Sequence, residues 1–367
     1  MRREWPLLIS VATTALFLVF GGGWLSDLSH PGWFAFLFGW LFAVIMLSSF
    51  AAVRHADSLA WKFGEPLGTL ILTLAVTGIE VMMIAAVMYT GSGSAVFARD
   101  AMFAVVMIVM NGMVGLALVL GGLRYHEQSY NLQGANAFLA VIVPLAVLCM
   151  VLPNFTTSTP GPTLSGAQAA FLIVMSVALY GVFLAIQNLR HREYFMAPDP
   201  AAARPADAHE FHSVLHHTAF LVAYLAPLVV LSKQLAVPIN HGITVLHAPA
   251  ALGGFLVSVL VLSPESLSAV RAALANDLQR SMNLLLGSAL ATISLTIPAV
   301  LVIGFATDRP IVLGLDAANM VLLVLTLGVS MLTFVSARTN VLLGVVHLIL
   351  FFAYLMMIFD FIGNLVN

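Results

Sequence analysis

The sequence predicts an all-α membrane protein with about 11 transmembrane helices, arranged as one N-terminal helix and two inverted five-helix repeats. Of its 367 residues, 61% are hydrophobic and 8% are charged, whereas about 25% of the residues in a soluble protein are charged. The mean hydropathy is +1.04. This composition requires a lipid bilayer as the surrounding medium, and without a basic face the chain is not predicted to bind nucleic acid.

Long apolar segments follow one another along the whole chain. Each contains about 20 residues, which is the length an α-helix needs to cross the hydrocarbon core. The predicted segments are 6–25, 32–53, 67–90, 101–123, 135–153, 166–187, 214–237, 246–270, 282–306, 311–336 and 340–362. The first is long and lacks a convincing cleavage site, so we interpret it as a retained helix rather than a signal peptide.

The Lys and Arg residues of the loops predict the orientation. With the N-terminus inside, 11 of these residues fall on the cytoplasmic side, and only Arg99, Lys233 and Arg309 fall outside. Cytoplasmic loops carry the excess of positive charge in membrane proteins. We therefore expect a multi-pass membrane protein with its N-terminus in the cytoplasm and its C-terminus on the periplasmic or external side.

One long polar stretch separates two halves of the chain. Residues 188–213 are rich in Ala, Pro and His, a composition typical of a linker. The predicted domains are therefore an N-terminal helix (1–31), a first repeat (32–187), the cytoplasmic linker (188–213) and a second repeat (214–367). The run His209, His212, His216 and His217 is interpreted as solvated or interfacial histidines rather than as a metal or pH sensor.

Two glutamates lie deep within predicted helices, Glu80 in the first half and Glu265 in the second. Each falls in the second helix of its repeat, and the predicted topology runs these two helices in opposite directions. An ionisable residue at this depth is costly and indicates a functional site. Secondary transporters place their substrates at the interface of such inverted repeats. The alternative is a purely structural role, in which each glutamate is a protonated carboxyl that forms a hydrogen bond to a neighbouring helix.

Two carboxylates at one site would bind either protons or a cation. Ca²⁺ takes six to eight oxygen ligands, so further oxygens are expected from Thr77, Ser263, Asn111 and Ser288. Gly78 and Pro264 are expected to loosen the two helices and expose backbone carbonyls. The following helices are aligned with Asn111 opposite Gly287 and Gly112 opposite Ser288. Each hydroxyl or amide could equally serve only in helix packing, and His347 is predicted to be a packed, hydrogen-bonded histidine.

The chain resembles the calcium/cation antiporter superfamily, most closely its ChaA-type bacterial calcium (sodium, potassium)/proton antiporters. The stretches that carry this resemblance are 53–81, 178–195, 263–300 and 338–359. In that superfamily each of two repeats carries one metal-binding glutamate. The resemblance implies that Glu80 and Glu265 fill those positions. It also implies that the protein lies in a bacterial cytoplasmic (inner) membrane.

We therefore expect a secondary active antiporter that exports cytoplasmic Ca²⁺, or Na⁺ or K⁺, in exchange for protons. Glu80 and Glu265 are predicted to carry both the cation and the protons, with no cofactor. The alternatives are a monovalent-cation/proton antiporter with little Ca²⁺ activity and a passive cation channel. An enzyme ranks last because the sequence has no usable catalytic motif. The sequence makes no prediction about oligomeric state.

Overall fold

A computed structural model describes residues 4–63, 67–90, 95–197 and 213–366. Within these residues the chain forms thirteen α-helices and one short antiparallel pair of strands. The helices are α1 (Trp5–Trp24), α2 (Pro31–Phe63), α3 (Leu67–Thr90), α4 (Phe97–Met107), α5 (Val114–Tyr125), α6 (Leu132–Met150), α7 (Gly166–Ala185), α8 (Val214–Thr244), α9 (Ala250–Leu274), α10 (Leu278–Ala291), α11 (Ile297–Ala306), α12 (Ala317–Thr333) and α13 (Val341–Val366); the strands are β1 (Gln128–Ser129) and β2 (Arg338–Thr339).

These helices form eleven rods, as the apolar pattern predicts. A π-helical turn at Ile108–Met113 joins α4 to α5, and another at Thr292–Thr296 joins α10 to α11. Nine rods of the described chain are long and apolar enough to cross a membrane, and shorter apolar helices cover Thr73–Met88 and Ala317–Thr333. The prediction of an all-α, multi-pass membrane protein is confirmed.

The predicted segment 311–336 begins as a loop. Its helix α12 starts only at Ala317, where the Asp316 carboxylate accepts a hydrogen bond from the backbone N–H of Asn319 at 3.0 Å. A side-chain cap of this kind satisfies a backbone donor that has no partner within the helix. The polar cap therefore overrides the apolar pattern and shortens α12 at its beginning.

The helices divide into two compact units that cut across the halves of the chain. The first unit contains α1, α2, α3, α8 and α9 up to Pro264. The second contains α4 to α7, then α9 from Glu265, and α10 to α13 up to Phe361. The first unit thus takes the leading helices of both predicted repeats, and the second takes the later ones. The boundaries of the two repeats stay a prediction.

In the first unit α1 and α3 pack against the long pair α2 and α8. Small hydroxyl side chains join α1 to α2, because the Ser48 hydroxyl lies 2.9 Å from that of Ser10 and both are buried. The Trp40 ring nitrogen also donates to the Thr13 hydroxyl at 3.3 Å. Hydrogen bonds and close packing, rather than hydrophobic burial, join helices in lipid. These contacts make α1 an integral part of the first unit.

A partly buried polar cluster centred on Glu4 ties α1 to α2 and α8. Glu4 accepts hydrogen bonds from Arg54 at 2.8 Å, from His55 at 3.2 Å and from the Tyr224 hydroxyl at 3.0 Å. The Nδ1 atoms of His55 and His217 lie 3.0 Å apart. The interpretation of His217 as a solvated histidine is therefore wrong: it is 6% exposed, because α2 covers it.

Of the other predicted histidines in that run, His209 and His212 lie outside the described residues. So does most of the predicted linker, from 198 to 212. Its first residues belong to the second unit, where they continue α7 through a π-helical turn at Ile186–Arg190 and a 3₁₀ turn at Arg192–Phe195. The amide of Asn283 on α10 donates to the Phe195 carbonyl at 2.7 Å, which fixes this end of the segment.

Loops within the second unit contact one another in two groups. In one group β1 pairs with β2, and the Tyr125 hydroxyl donates to the Leu274 carbonyl at 2.9 Å. In the other group, Arg99 donates to the Gly314 carbonyl at 3.0 Å, and Asn154 donates to the Leu315 carbonyl at 2.9 Å. The predicted topology places the loops of each group on a single side of the membrane, so these contacts agree with it.

The Glu4 cluster gives a first prediction. Glu4→Gln removes the charge that Arg54, His55 and Tyr224 contact. Hydrogen bonds to charged groups contribute about 1.5–3 kcal/mol, and solvent at this helix end screens part of that. We expect Glu4→Gln to lower the free energy of unfolding by about 1–2 kcal/mol, measured at neutral pH as a lower midpoint of thermal unfolding in detergent.

This effect should depend on pH. Burial alone would raise the pKa of the Glu4 carboxyl, but His55, Arg54 and Tyr224 hold that pKa below its ordinary value of 4.5. The stabilisation is therefore complete above the ordinary pKa and is lost as the pH falls through the lowered one. A matched control is Glu127→Gln, whose ion pair with Arg338 is exposed. Equal losses in both variants, or a Glu4→Gln loss that persists in acid, would contradict this account.

Candidate functional site

Glu80 is buried in the middle of α3, with 4% of its surface exposed. Thr77 lies three residues earlier and is also buried, so the two side chains share one face of the helix. The helix runs from Leu67 to Thr90 without a break. Gly78 therefore does not interrupt α3, and the expected opening of the backbone before Glu80 is not observed.

Glu265 lies on α9 directly after Pro264 and is half-buried. The helix continues through both residues from Ala250 to Leu274. Pro264 has no N–H to donate, so the helix loses one internal hydrogen bond to the Leu260 carbonyl while remaining helical. Pro264 therefore does not interrupt α9, and what remains of the expected loosening is the Leu260 carbonyl, which lacks its usual helical donor.

Ser263 does not repeat the arrangement of Thr77. It precedes Glu265 by two residues, a spacing that turns the two side chains to different faces of a helix. Its hydroxyl forms a short hydrogen bond to the Val259 carbonyl of its own helix. Two other hydroxyl residues share the Glu265 face by spacing: Ser258 lies seven residues before it and Ser268 three after it. Helical spacing could have found both from the sequence.

Neither glutamate has a ready-made set of acidic or histidine ligands beside it. In the described part of the chain, no three His, Cys, Asp or Glu side chains group closely enough to hold a metal ion. Glu80 belongs to the first unit, and Glu265 is the first residue of the α9 segment in the second. A cation bound by either acid would therefore need neutral oxygens from hydroxyls, amides or backbone carbonyls.

Asn111 is fully buried in the π-helical turn between α4 and α5. Its amide nitrogen donates to the Thr326 hydroxyl on α12 at 2.7 Å. Its carbonyl oxygen lies 3.2 Å from Nδ1 of His347 on α13. The second unit thus surrounds this predicted ligand with polar partners from two other helices. As predicted, His347 is buried and hydrogen-bonded.

Two of the rods with π-helical turns allow a second alignment of the repeats beside the expected one. Each contains 29 residues, Phe97–Tyr125 and Leu278–Ala306. Matching their first residues places Asn111 opposite Thr292, whereas the expected alignment places Asn111 opposite Gly287 and Gly112 opposite Ser288. The expected alignment stays a prediction. The signal for the second alignment was present in the sequence, because the same spacing separates Arg99 from Asn111 and Arg280 from Thr292.

Thr292 begins the second π-helical turn and is 1% exposed, whereas Ser288 lies on α10 and is half-buried. A π-helical turn inserts one extra residue into a helix and is frequent at functional sites. The sequence did not predict either turn. The nearest signals are Gly112 in the first turn and Pro298 just beyond the second.

Two glycines allow α5 and α13 to approach closely beside the Asn111 turn. A Cβ at Gly344 would lie 2.8 Å from the Gly115 carbonyl oxygen and 2.7 Å from the backbone nitrogen of Val119. Backbone atoms cannot move aside as the end of a side chain can. Small residues at such crossings are a common means of joining helices in membranes. This crossing brings His347 within reach of Asn111.

Comparison with known proteins shows what this arrangement of helices is similar to. A family described as sodium/calcium exchanger protein matches residues 33–189 and 216–359. An ionic transporter of Sinorhizobium fredii is 44% identical over 84% of both chains. The sodium-potassium/proton antiporter ChaA of Escherichia coli is 41% identical over 86% of both chains. The matched regions include both glutamates.

Solved structures agree in fold. The structure of native YfkE, 16% identical, gives a TM-score of 0.74 and covers 96% of this chain and 99% of that one. The H⁺/Ca²⁺ exchanger CAX, 14% identical, gives a TM-score of 0.67 and covers 97% of this chain and 89% of its own. At this level of identity the likeness concerns the helical architecture.

The glycine crossing gives a second prediction. Gly344→Ala forces α5 and α13 apart, and overpacking of this kind costs about 1–3 kcal/mol. Gly181→Ala on α7 is the matched control, because a Cβ there meets nothing within 4 Å. Since Ala is the better helix former, the control should gain about 0.5–1 kcal/mol. The measurement is the thermal unfolding midpoint in detergent, and equal shifts for both variants would refute the crossing.

Proposed function

Because the chain belongs to the sodium/calcium exchanger family, we propose that it is a secondary active antiporter that exports a cytoplasmic cation in exchange for protons. The observation that carries this proposal is the family match, which extends over both halves of the chain. The 41% identical relative from Escherichia coli is itself a sodium-potassium/proton antiporter. YfkE, which shares the fold, is a Ca²⁺/H⁺ antiporter.

We place the exchanged ions at Glu80 and Glu265. Two carboxylates bind either a cation or protons, since each loaded form brings the site close to neutrality. Thr77, Asn111, Ser263 and Ser288 are the neutral ligands that the sequence suggests. The buried position of Thr77 one turn from Glu80 supports the first of these.

The charge of the empty site explains why transport is an exchange. Without a bound ion, two ionised carboxylates would remain at membrane depth. Moving unpaired charges through a low-dielectric environment is costly. Only the cation-loaded and the proton-loaded forms therefore change between inward-facing and outward-facing states. This restriction couples cation export to proton entry, because the site must reload before it returns.

Ca²⁺ is the first candidate substrate, because two carboxylates with additional oxygens suit a hard divalent cation. Na⁺ or K⁺ is the second candidate, and the name of the Escherichia coli relative favours it. A passive cation channel is the remaining alternative. A channel would carry cations without moving protons in the opposite direction, so the direction of proton flow separates the two.

Proton flux in everted membrane vesicles tests this function. In vesicles acidified inside by respiration, we expect Ca²⁺, Na⁺ or K⁺ added outside to dissipate the pH gradient, seen as recovery of a quenched fluorescent amine. Glu80→Gln and Glu265→Gln keep the shape of each side chain but remove the charge and the exchangeable proton. Each is expected to lower the rate by at least about 100-fold, as removal of a buried charged partner costs several kcal/mol.

The matched control is Glu127→Gln, an exposed glutamate that should leave the flux unchanged. Exchange that persists in correctly inserted Glu80→Gln would overturn the site assignment. Cation entry without proton exit in the wild type would favour the channel. If no cation dissipates the gradient in verified, inserted protein, the antiporter proposal itself fails.

We also propose that the N-terminus lies in the cytoplasm and the C-terminus on the outer side of a bacterial inner membrane. The positive residues of the loops support this orientation. Because the single native cysteine, Cys149, is buried, added cysteines can report it. A membrane-impermeant maleimide should label Glu127→Cys only in everted vesicles and Asp308→Cys only in intact cells. The opposite pattern would reverse the orientation.

A further inference from the structure

His347 is a fully buried imidazole in one of the most apolar helices of the chain. Its exposed fraction is 0%, and it lies in the apolar span Val341–Phe359. A polar side chain at such a depth is expensive unless its hydrogen bonds are met by protein partners. Both ring nitrogens of His347 have such partners within the second unit, Asn111 at 3.2 Å and Thr333 at 2.9 Å.

The hydrogen bonds around Asn111 determine which way its amide points. The Thr326 hydroxyl donates its single proton to the Leu322 carbonyl at 2.7 Å. It must therefore accept its other hydrogen bond, and the group that donates to it at 2.7 Å is the NH₂ of Asn111. This leaves the carbonyl oxygen of Asn111 facing His347.

The same logic fixes the tautomer of His347. A carbonyl oxygen only accepts, so the Nδ1 atom of His347 carries the hydrogen that it donates towards Asn111, and the backbone carbonyl of Met110 is a further acceptor for the ring. In the neutral ring Nε2 then accepts from the Thr333 hydroxyl. Thr333 thus anchors the far side of the ring, and the ring in turn orients the amide of Asn111.

Asn111 remains able to bind a cation while His347 holds it. A carbonyl oxygen has two lone pairs, of which the N–H of His347 takes one. Groups that orient a ligand in this way tune metal affinity, and their loss typically costs about 10–100-fold in affinity. The close crossing at Gly115 and Gly344 keeps α13 beside the Asn111 turn, so the orientation is held by backbone packing as well.

We propose that His347 is a positioning residue for cation transport, which holds the carbonyl oxygen of Asn111 in the direction needed to bind the ion. This inference rests on the proposed function, in which Asn111 is a neutral ligand. His347 itself touches no transported ion. Its contribution is to the affinity for the cation rather than to the maximal rate of exchange.

Two substitutions of His347 separate this role from simple packing. In His347→Asn the amide nitrogen can take the place of Nδ1 and still donate to Asn111. In His347→Gln the amide reaches the position of Nε2, so the link to Thr333 can persist but the link to Asn111 is lost. We expect His347→Gln to raise the apparent KM for the cation by about tenfold or more, with a smaller change in maximal rate, and His347→Asn to restore most of the affinity.

Thr333→Val provides a second measurement should the His347 variants insert poorly. It removes the hydroxyl that anchors Nε2 while keeping the shape of the side chain, and a raised KM is expected. Thr14→Val is its matched control. Within the described residues, the Thr14 hydroxyl donates to the Ser10 carbonyl of its own helix and so links α1 to no other helix. A KM that is unchanged in Thr333→Val, or equal in the Asn and Gln variants of His347, overturns the proposal.

Asn111→Ala distinguishes failure of this inference from failure of the function. If Asn111→Ala raises KM and His347→Gln does not, the positioning role alone is refuted. If Asn111→Ala leaves KM unchanged, Asn111 is not a ligand and the positioning role is refuted with it. Exchange that survives in Glu80→Gln would instead refute the two-glutamate site, whatever the His347 variants show.

Discussion

The cost of placing ionisable and polar groups in hydrocarbon is the constraint on which the rest of this structure depends. Water is not available to them there, so each must find its partner within the protein or bind an ion. The Glu4 cluster meets this constraint near the end of α1, where Arg54 and His55 share one carboxylate. Glu80 differs from Glu4 because it lies buried in the middle of α3 and not at a helix end near water. For this reason we assign Glu80 to ion exchange.

The backbone meets the same constraint by remaining helical at the acids and by deforming in the helices that follow. Both α3 and α9 are continuous through Glu80 and Glu265. Two π-helical turns occur instead at Ile108–Met113 and Thr292–Thr296, which are mostly buried and contain polar side chains. Irregular backbone at membrane depth is tolerated only where protein or a water-filled cavity surrounds it.

Each of the two compact units has polar or close-packed contacts of its own. In the first unit, buried hydroxyls and the Glu4 cluster join α1 to its neighbours. In the second, glycine contacts and the network around Asn111 lock α5, α12 and α13 together. Each predicted glutamate helix belongs wholly or partly to the first unit, and the unit boundary within α9 falls directly before Glu265.

The sequence by itself determined that the protein is a membrane protein, that it has eleven rods, and that two glutamates lie within apolar segments. The length of an apolar segment and a single charge inside it can both be read locally along the chain. Tertiary structure alone decided the π-helical turns, the burial of His217 and the partners of Asn111. These depend on which helices meet, as when Gly115 and Gly344, far apart in the chain, bring His347 to Asn111. Spacing along one helix predicts which side chains share its face, but not which helix will cover that face.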